Sequence, residues 1–160
     1  MIFAKDLDLI VYDFDGVMTD NHVIVFQDGA EAVIVNRADG LAVNHIRLFG
    51  IPQLILSTET NHVVNARAGK LGLKVIASCE DKKIALKNYC EINGFNLTRV
   101  LYIGNDINDL EVMRIVGYPV APADAHQDII DISCLVTKSK GGEGVVRELI
   151  DLISWENMSK

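Results

Sequence analysis

The chain has 160 residues, 49% hydrophobic and 23% charged, the balance of one folded domain with a single core rather than of a disordered segment. Its formal net charge of -7 argues against a nucleic-acid partner, which requires a basic face, and no apolar run approaches the roughly 18 residues of a membrane span. The N-terminal MIFAKDLD meets an acid too early for a signal peptide, so the expectation is a cytoplasmic protein with no membrane attachment.

The first apolar run, Leu9-Ile10-Val11-Tyr12, predicts a buried strand over 8–13, and it leads into two carboxylates, Asp13 and Asp15. Burying an ionised carboxylate is costly without a compensating cation, so this tip is either a polar turn or a site. Residues 22–36 follow as two β-type runs around Gln27-Asp28-Gly29, a hairpin pattern. Val23, Val25, Phe26, Val33 and Val35 give it an apolar outer face that is expected to pair with other subunits. The pattern then alternates: helix 40–49 with Asp39 as its N-cap, strand 53–57, helix 61–71, strand 74–77, helix 82–93, strand 99–103, helix 107–116, strand 118–121, a short helix near 125–130, strand 133–136 and helix 144–154. Apolar strands regularly separated by helices imply a parallel sheet covered on both faces. The expected fold is α/β, a doubly wound Rossmann-like parallel sheet with a β-hairpin flap and no separate cap domain, forming one domain over 1–160.

Cys79, Cys90 and Cys134 are odd in number and share no CxxC pair, which predicts buried reduced thiols. The histidines at 22, 45, 62 and 126 show no metal-binding spacing.

In such a sheet the carboxyl edge collects Asp13, Asp15, Ser57, Lys82 and the loop Gly104-Asn105-Asp106-Ile107-Asn108-Asp109. Acids, a hydroxyl, a lysine and a carboxamide suit a hard divalent cation, with the lysine and hydroxyl donating to phosphate oxygens. A carboxylate can attack phosphorus once those cations screen its repulsion from the phosphate. Thr58 is as good a candidate hydroxyl as Ser57, and Lys82 could be a solvated helix-start lysine like Lys83 and Lys87. Arg67 and Lys70 lie three apart on one helical face behind Glu59, either as a surface charge pattern or as a grip on an anionic polyhydroxyl substrate.

DFDGVMTD at 13–20, LILST at 54–58, Lys82 opening a helix and IGNDIND at 103–109 resemble the four ordered motifs of the haloacid dehalogenase superfamily of aspartyl-phosphate phosphatases. The hairpin, NRADG at 36–40 and GGEGVVREL at 141–149 are similar to its capless 3-deoxy-D-manno-octulosonate 8-phosphate phosphatase subfamily. LSTETNHVVNARAGKL at 56–71 resembles the phosphatase-like C-terminal domain of CMP-sialate synthetases. The resemblance implies Asp13 as nucleophile and Asp15 as general acid/base, with Lys82 and Ser57 or Thr58 on the phosphoryl oxygens. It implies Mg2+ held by Asp13, the Asp15 carbonyl and Asn105, with Asp106 or Asp109 adding charge, because Asn105 stands where an acid is usual. Ala38 stands where the octulosonate enzymes have Arg. The implied substrate is a 3-deoxy-2-ulosonic acid phosphate, a sialate-type 9-phosphate ahead of the octulosonate 8-phosphate, contacted by Glu59, Arg67 and Lys70. A homotetramer is expected, with the loop 141–144 closing over a neighbouring active site. Two other readings stay open: a non-catalytic oligomerisation module associated with CMP-sialate synthesis, and a signalling receiver. The receiver would need its phosphorylated Asp after the third strand, where the chain has Ala77-Ser78.

Overall fold

Apolar runs too short to be helices line up side by side as a parallel sheet in the computed structural model, which describes residues 1–60 and 62–155. In chain order the elements are β1 (Ile2–Phe3), β2 (Leu9–Tyr12), β3 (Ile24–Val25), β4 (Glu31–Ala32), α1 (Asp39–Leu48), β5 (Gln53–Leu56), α2 (His62–Leu71), β6 (Lys74–Ile76) and α3 (Lys82–Asn93). They continue with β7 (Val100–Ile103), a 3-10 turn (Ile107–Asp109) running into α4 (Leu110–Met113), β8 (Tyr118–Ala121), α5 (Gln127–Ile132), β9 (Leu135–Val136), α6 (Val145–Leu152) and β10 (Ile153–Ser154).

The main sheet has six strands in the order β6-β5-β2-β7-β8-β9, all parallel. Every residue of β2, β5 and β7 is buried, because helices cover both faces. On one face Ile10, Tyr12, Ile55 and Ile103 pack with α1, α2 and α6; on the other Leu9, Val11, Leu54 and Tyr102 pack with α3, α4 and α5. The winding reverses at β2, with β5 and β6 to one side and β7, β8 and β9 to the other. Such a reversal opens a crevice at the carboxyl ends of the strands on either side of it. Asp13, Ser57 and Gly104 follow β2, β5 and β7 directly, so topology alone gathers the motif residues.

Four expectations are corrected. The hairpin is ordered as two-residue strands, and its outer face is carried by Val23, Ile24, Val25, Phe26 and Ile34, while Val33 and Val35 turn onto the core. The helix expected over 107–116 is a 3-10 turn and a single α-turn, because Asp106 and Asp109 form a capping box that tightens its start. Asp39 lies inside α1, whose N-cap is Ala38, and makes no capping bond to its own helix. Only Cys90 is buried; Cys79 is half-buried and Cys134 exposed, and all three are free. The parallel pair β1–β10, which ties the start of the chain to the end of α6, had no sequence signature. The expected start of α2 at Asn61 lies outside the described residues. Among the described residues no helix is long and apolar enough to cross a membrane.

Candidate active site

Beyond Tyr12 the chain leaves the strand and turns tightly, so the two acids sit in a turn rather than on an extended strand end. The Asp13 N–H donates to Ile103 O at 2.9 Å, and Phe14 O accepts from Val17, Met18 and Thr19. Gly16 permits the turn with φ +80°, and a Cβ there would lie 2.0 Å from the Asn105 amide. Only glycine therefore lets the loop 13–20 rest on the loop 104–109. Asp13 ends up buried and Asp15 half-buried.

Lys82 opens α3 behind the N-cap Asp81, whose carboxylate accepts from Ile84 N. It is only 3% exposed, and its Nζ donates at 2.7 Å to Asp13 Oδ1 and at 2.7 Å to Asp109 Oδ1. Lys83, by contrast, pairs with Glu111 on the surface. Asp109 is fully buried: its Oδ1 also accepts from the Tyr102 hydroxyl at 2.7 Å, and its Oδ2 accepts from Asn105 N at 3.0 Å. Sequence reasoning left Asp109 at the margin, although two acids three apart after a strand are a capping-box signal. Here that box also fixes the lysine.

The charges in this cluster are unequal. Burial, and behind it the Asp109 carboxylate, pushes the Asp13 carboxyl up to about 8 against the pull of Lys82. Burial also works against the Lys82 charge, but Asp13 and Asp109 more than offset it and hold the ammonium above its usual range. The Asp15 carboxyl is raised by burial and then by Glu59, a shift toward the protonated form beside Asp13.

Ser57 is 2% exposed at the tip of β5, where its N–H donates to Ile76 O and its Oγ accepts from Glu59 N at 3.1 Å; Thr58 beside it is exposed. Asn105 points its carboxamide at two oxygens. With nitrogen turned inward it donates to Asp15 O at 2.8 Å and Asp13 Oδ2 at 3.1 Å; with oxygen turned inward the Asn105 Oδ1 faces both oxygens at those spacings. An octahedral cation with 2.0–2.1 Å bonds sets neighbouring ligand oxygens about 2.8–3.0 Å apart, so this donor set fits a small hard divalent ion. Asp106 does not join it: its carboxylate is spent on Ile107 N at 2.7 Å, on the exposed side of the turn.

Glu59 is brought to Asp15 across a cavity of about 90 Å³ walled by Phe14, Val23, Val33 and Val64. Arg67 and Lys70 line a different groove, of about 690 Å³, together with Arg37 and Arg47, and Arg67 Nη2 donates to Asn36 O at 2.8 Å. Within one chain, then, Glu59 adjoins the acid site while the two cations open onto a separate depression. The loop 141–144 lies against this chain's own turn 13–20, with Gly142 N donating to Val17 O at 3.1 Å.

Residues 51–149 match the family model of haloacid dehalogenase-like hydrolases. The chain is 33% identical over 151 residues to the 3-deoxy-D-manno-octulosonate 8-phosphate phosphatase KdsC of Yersinia pestis, covering 94% of this chain and 81% of that one. A crystal structure from Streptomyces avermitilis assigned to the HAD hydrolase family superposes with a TM-score of 0.94 at 44% identity, covering 99% of this chain and 91% of that one. The 3-deoxy-D-manno-octulosonate 8-phosphate phosphatase of Moraxella catarrhalis, solved with magnesium, phosphate and KDO, superposes with a TM-score of 0.89 at 30% identity, covering 93% and 86%. With such relatives matched along nearly its whole length, the chain belongs to the haloacid dehalogenase-like hydrolase family and is a phosphatase.

Proposed function

We propose that this phosphatase is a Mg2+-dependent phosphomonoester hydrolase acting on a 3-deoxy-2-ulosonic acid phosphate through an aspartyl-phosphate at Asp13. The observation that carries the reading is the buried lysine held between Asp13 and Asp109, next to an oxygen cluster shaped for a divalent ion. An Asp13 carboxylate oxygen attacks phosphorus, the bond to the leaving sugar oxygen breaks, and Asp15 gives that oxygen its proton. Water then attacks the acyl phosphate, returns a proton to Asp15 and releases phosphate. Lys82 and the Ser57 hydroxyl orient the phosphoryl oxygens. Mg2+, held by Asp13, the Asp15 carbonyl and Asn105 Oδ1, supplies charge neutralisation.

For the leaving group, the named relatives act on the octulosonate 8-phosphate. We favour the longer nonulosonate 9-phosphate here because Glu59 adjoins Asp15 where a polyhydroxyl arm would pass, and Arg67 and Lys70 offer charge to a remote carboxylate. Those cations open away from their own chain's acid site, so they serve best in a homotetramer in which one subunit completes the next. A phosphate-release screen with Mg2+ across sugar-acid phosphates tests the assignment. Arg67→Ala is expected to lower kcat/KM for a nonulosonate 9-phosphate by roughly ten- to a hundredfold, the scale of one lost charge-assisted hydrogen bond, with far less effect on a small aryl phosphate. Equal damage to both, or an octulosonate 8-phosphate that is clearly the better substrate, overturns the nonulosonate choice. The neutral Asn105 favours one other reading, a weakly active or non-catalytic oligomerisation module, and no Mg2+-dependent phosphate release from any sugar-acid phosphate would select it.

A further inference from the structure

Asp39 is 1% exposed and belongs to α1, yet its carboxylate serves another helix. Its Oδ1 accepts the Arg147 N–H at 3.0 Å, in the first turn of α6. That helix starts at Gly144, with φ +101° and no side chain to cap it. The leading N–H groups of a helix need acceptors and favour negative charge, and Asp39 supplies across the fold what Gly144 lacks.

α6 also anchors the loop in front of it. Glu148 accepts from Lys138 N and Ser139 N, both at 2.8 Å, and Gly141 N donates to Asp124 Oδ1 at 2.9 Å. The far side of this loop is pressed onto the nucleophile turn: a Cβ on Gly141 would lie 2.3 Å from Gly16 O, and one on Gly142 2.6 Å from Asp20 N. Backbones in such contact move together. Gly16 in turn lies against Asn105, and its N–H donates to Thr19 Oγ1 at 3.2 Å.

We propose that Asp39 is a positioning residue: by capping α6 it holds the loop 141–144 against the turn 16–20, and thereby sets the Asp15 carbonyl and the Asn105 carboxamide for the metal. The inference rests on the metal-assisted reading of that site. The groups facing Asp39 are Arg67 from α2, Arg147 and Val146 from α6, and Tyr12 from β2. Burial pushes its carboxyl up to about 6 against the pull of the Arg147 N–H, Arg67 and the Val146 N–H. Its Oδ2 has no hydrogen-bond partner among the described residues. A buried carboxylate with one oxygen left unpartnered breaks a local rule of stability, and such breaks concentrate where function requires them.

The test uses the full chain, calorimetric titration with Mg2+ alone, and amide hydrogen exchange at pH 8. Asp39→Ala is expected to weaken Mg2+ about tenfold, the lower end for loss of a supporting residue behind a metal ligand. It should speed exchange in 144–147 and equally in 16–20, and lower kcat for p-nitrophenyl phosphate with KM nearly unchanged. Asp39→Asn keeps the acceptor and should restore Mg2+ binding and exchange to near wild type. Gly142→Ala, with Asp39 intact, should reproduce the weakened Mg2+ binding from the other end of the relay. Faster exchange confined to α6 with unchanged Mg2+ affinity in Asp39→Ala overturns the proposal, as does wild-type Mg2+ binding by Gly142→Ala, which applies even if Asp39→Ala does not fold. If the wild type turns over no phosphate ester but the variants show this exchange and Mg2+ pattern, the relay stands and the chemistry falls.

Discussion

Two carboxylates share one ammonium in the buried cluster of Asp13, Lys82 and Asp109, and the consequences are largest at Asp109. Asp109→Ala leaves the Tyr102 hydroxyl and the Asn105 N–H without their acceptor and Lys82 with a single partner. It is expected to cost about 3–5 kcal/mol, the range for breaking a buried ion pair, read as a fall in Tm by calorimetry. A Tm within a degree or two of wild type would show that the cluster relaxes without it. Asp13→Asn and Asp15→Asn remove no volume, so each should keep the far-ultraviolet spectrum and fold while abolishing Mg2+-dependent phosphate release; activity within a fewfold of wild type in either would remove the aspartyl-phosphate chemistry. Asp39 has the opposite relation to stability. Its folded-state pKa of about 6 lies above the usual 3.8, so the native state holds the proton more tightly than the unfolded chain does. Its contribution is therefore fully present below about pH 4 and is lost as pH rises through 6. Asp39→Asn should raise Tm by roughly 6–12 °C at pH 8 and leave it nearly unchanged at pH 4. A higher Tm at both pH values would place the effect elsewhere.

At the scale of elements, the hairpin β3–β4 is too short to be stable by its own pairing and presents Val25 at 64% and Phe26 at 54% exposure. Isolated exposed apolar side chains are ordinary, but a run of Val23, Ile24, Val25 and Phe26 with Ile34 beside it is a contiguous patch. The expectation is that hairpins from several copies pack together. Sedimentation of the wild type at micromolar concentration should give an oligomer, and Val25→Lys with Phe26→Lys should give a folded monomer. A monomeric wild type would end this assignment. The same elements show why face assignments failed there: in a strand a slip of one residue exchanges inside for outside, and two-residue strands carry too little alternation to fix the register.

For the whole molecule, a ligand that binds only the folded state adds about 2.7 kcal/mol at a hundred times its dissociation constant. Saturating Mg2+ should therefore raise Tm by roughly 5–10 °C in a domain of this size, and chelator should reverse it. No shift at millimolar Mg2+ would argue that the Asn105 site is too weak to fill. The sequence alone determined the architecture and which of its motifs end at one edge of the sheet. β2 and β7 are apolar at every position and β5 is apolar after Gln53, a pattern that a sheet covered on both faces satisfies, and the winding that follows brings Asp13, Ser57 and the loop after Gly104 to one crevice. These features follow from local periodicity and chain order, which a sequence states directly. What only the tertiary structure decided depends on partners far apart in the chain. Lys82 is buried rather than solvated because Asp13 and Asp109 meet it, 69 and 27 residues away by number. Asp106 turns outward and Asp109 inward because the 3-10 turn begins between them. Asp39 caps α6 and not its own helix, across a separation of 108 residues. Arg67 and Lys70 share a helical face, as their spacing said, but which cavity that face opens onto was settled by how α2 packs beside α1, and no local pattern encodes that.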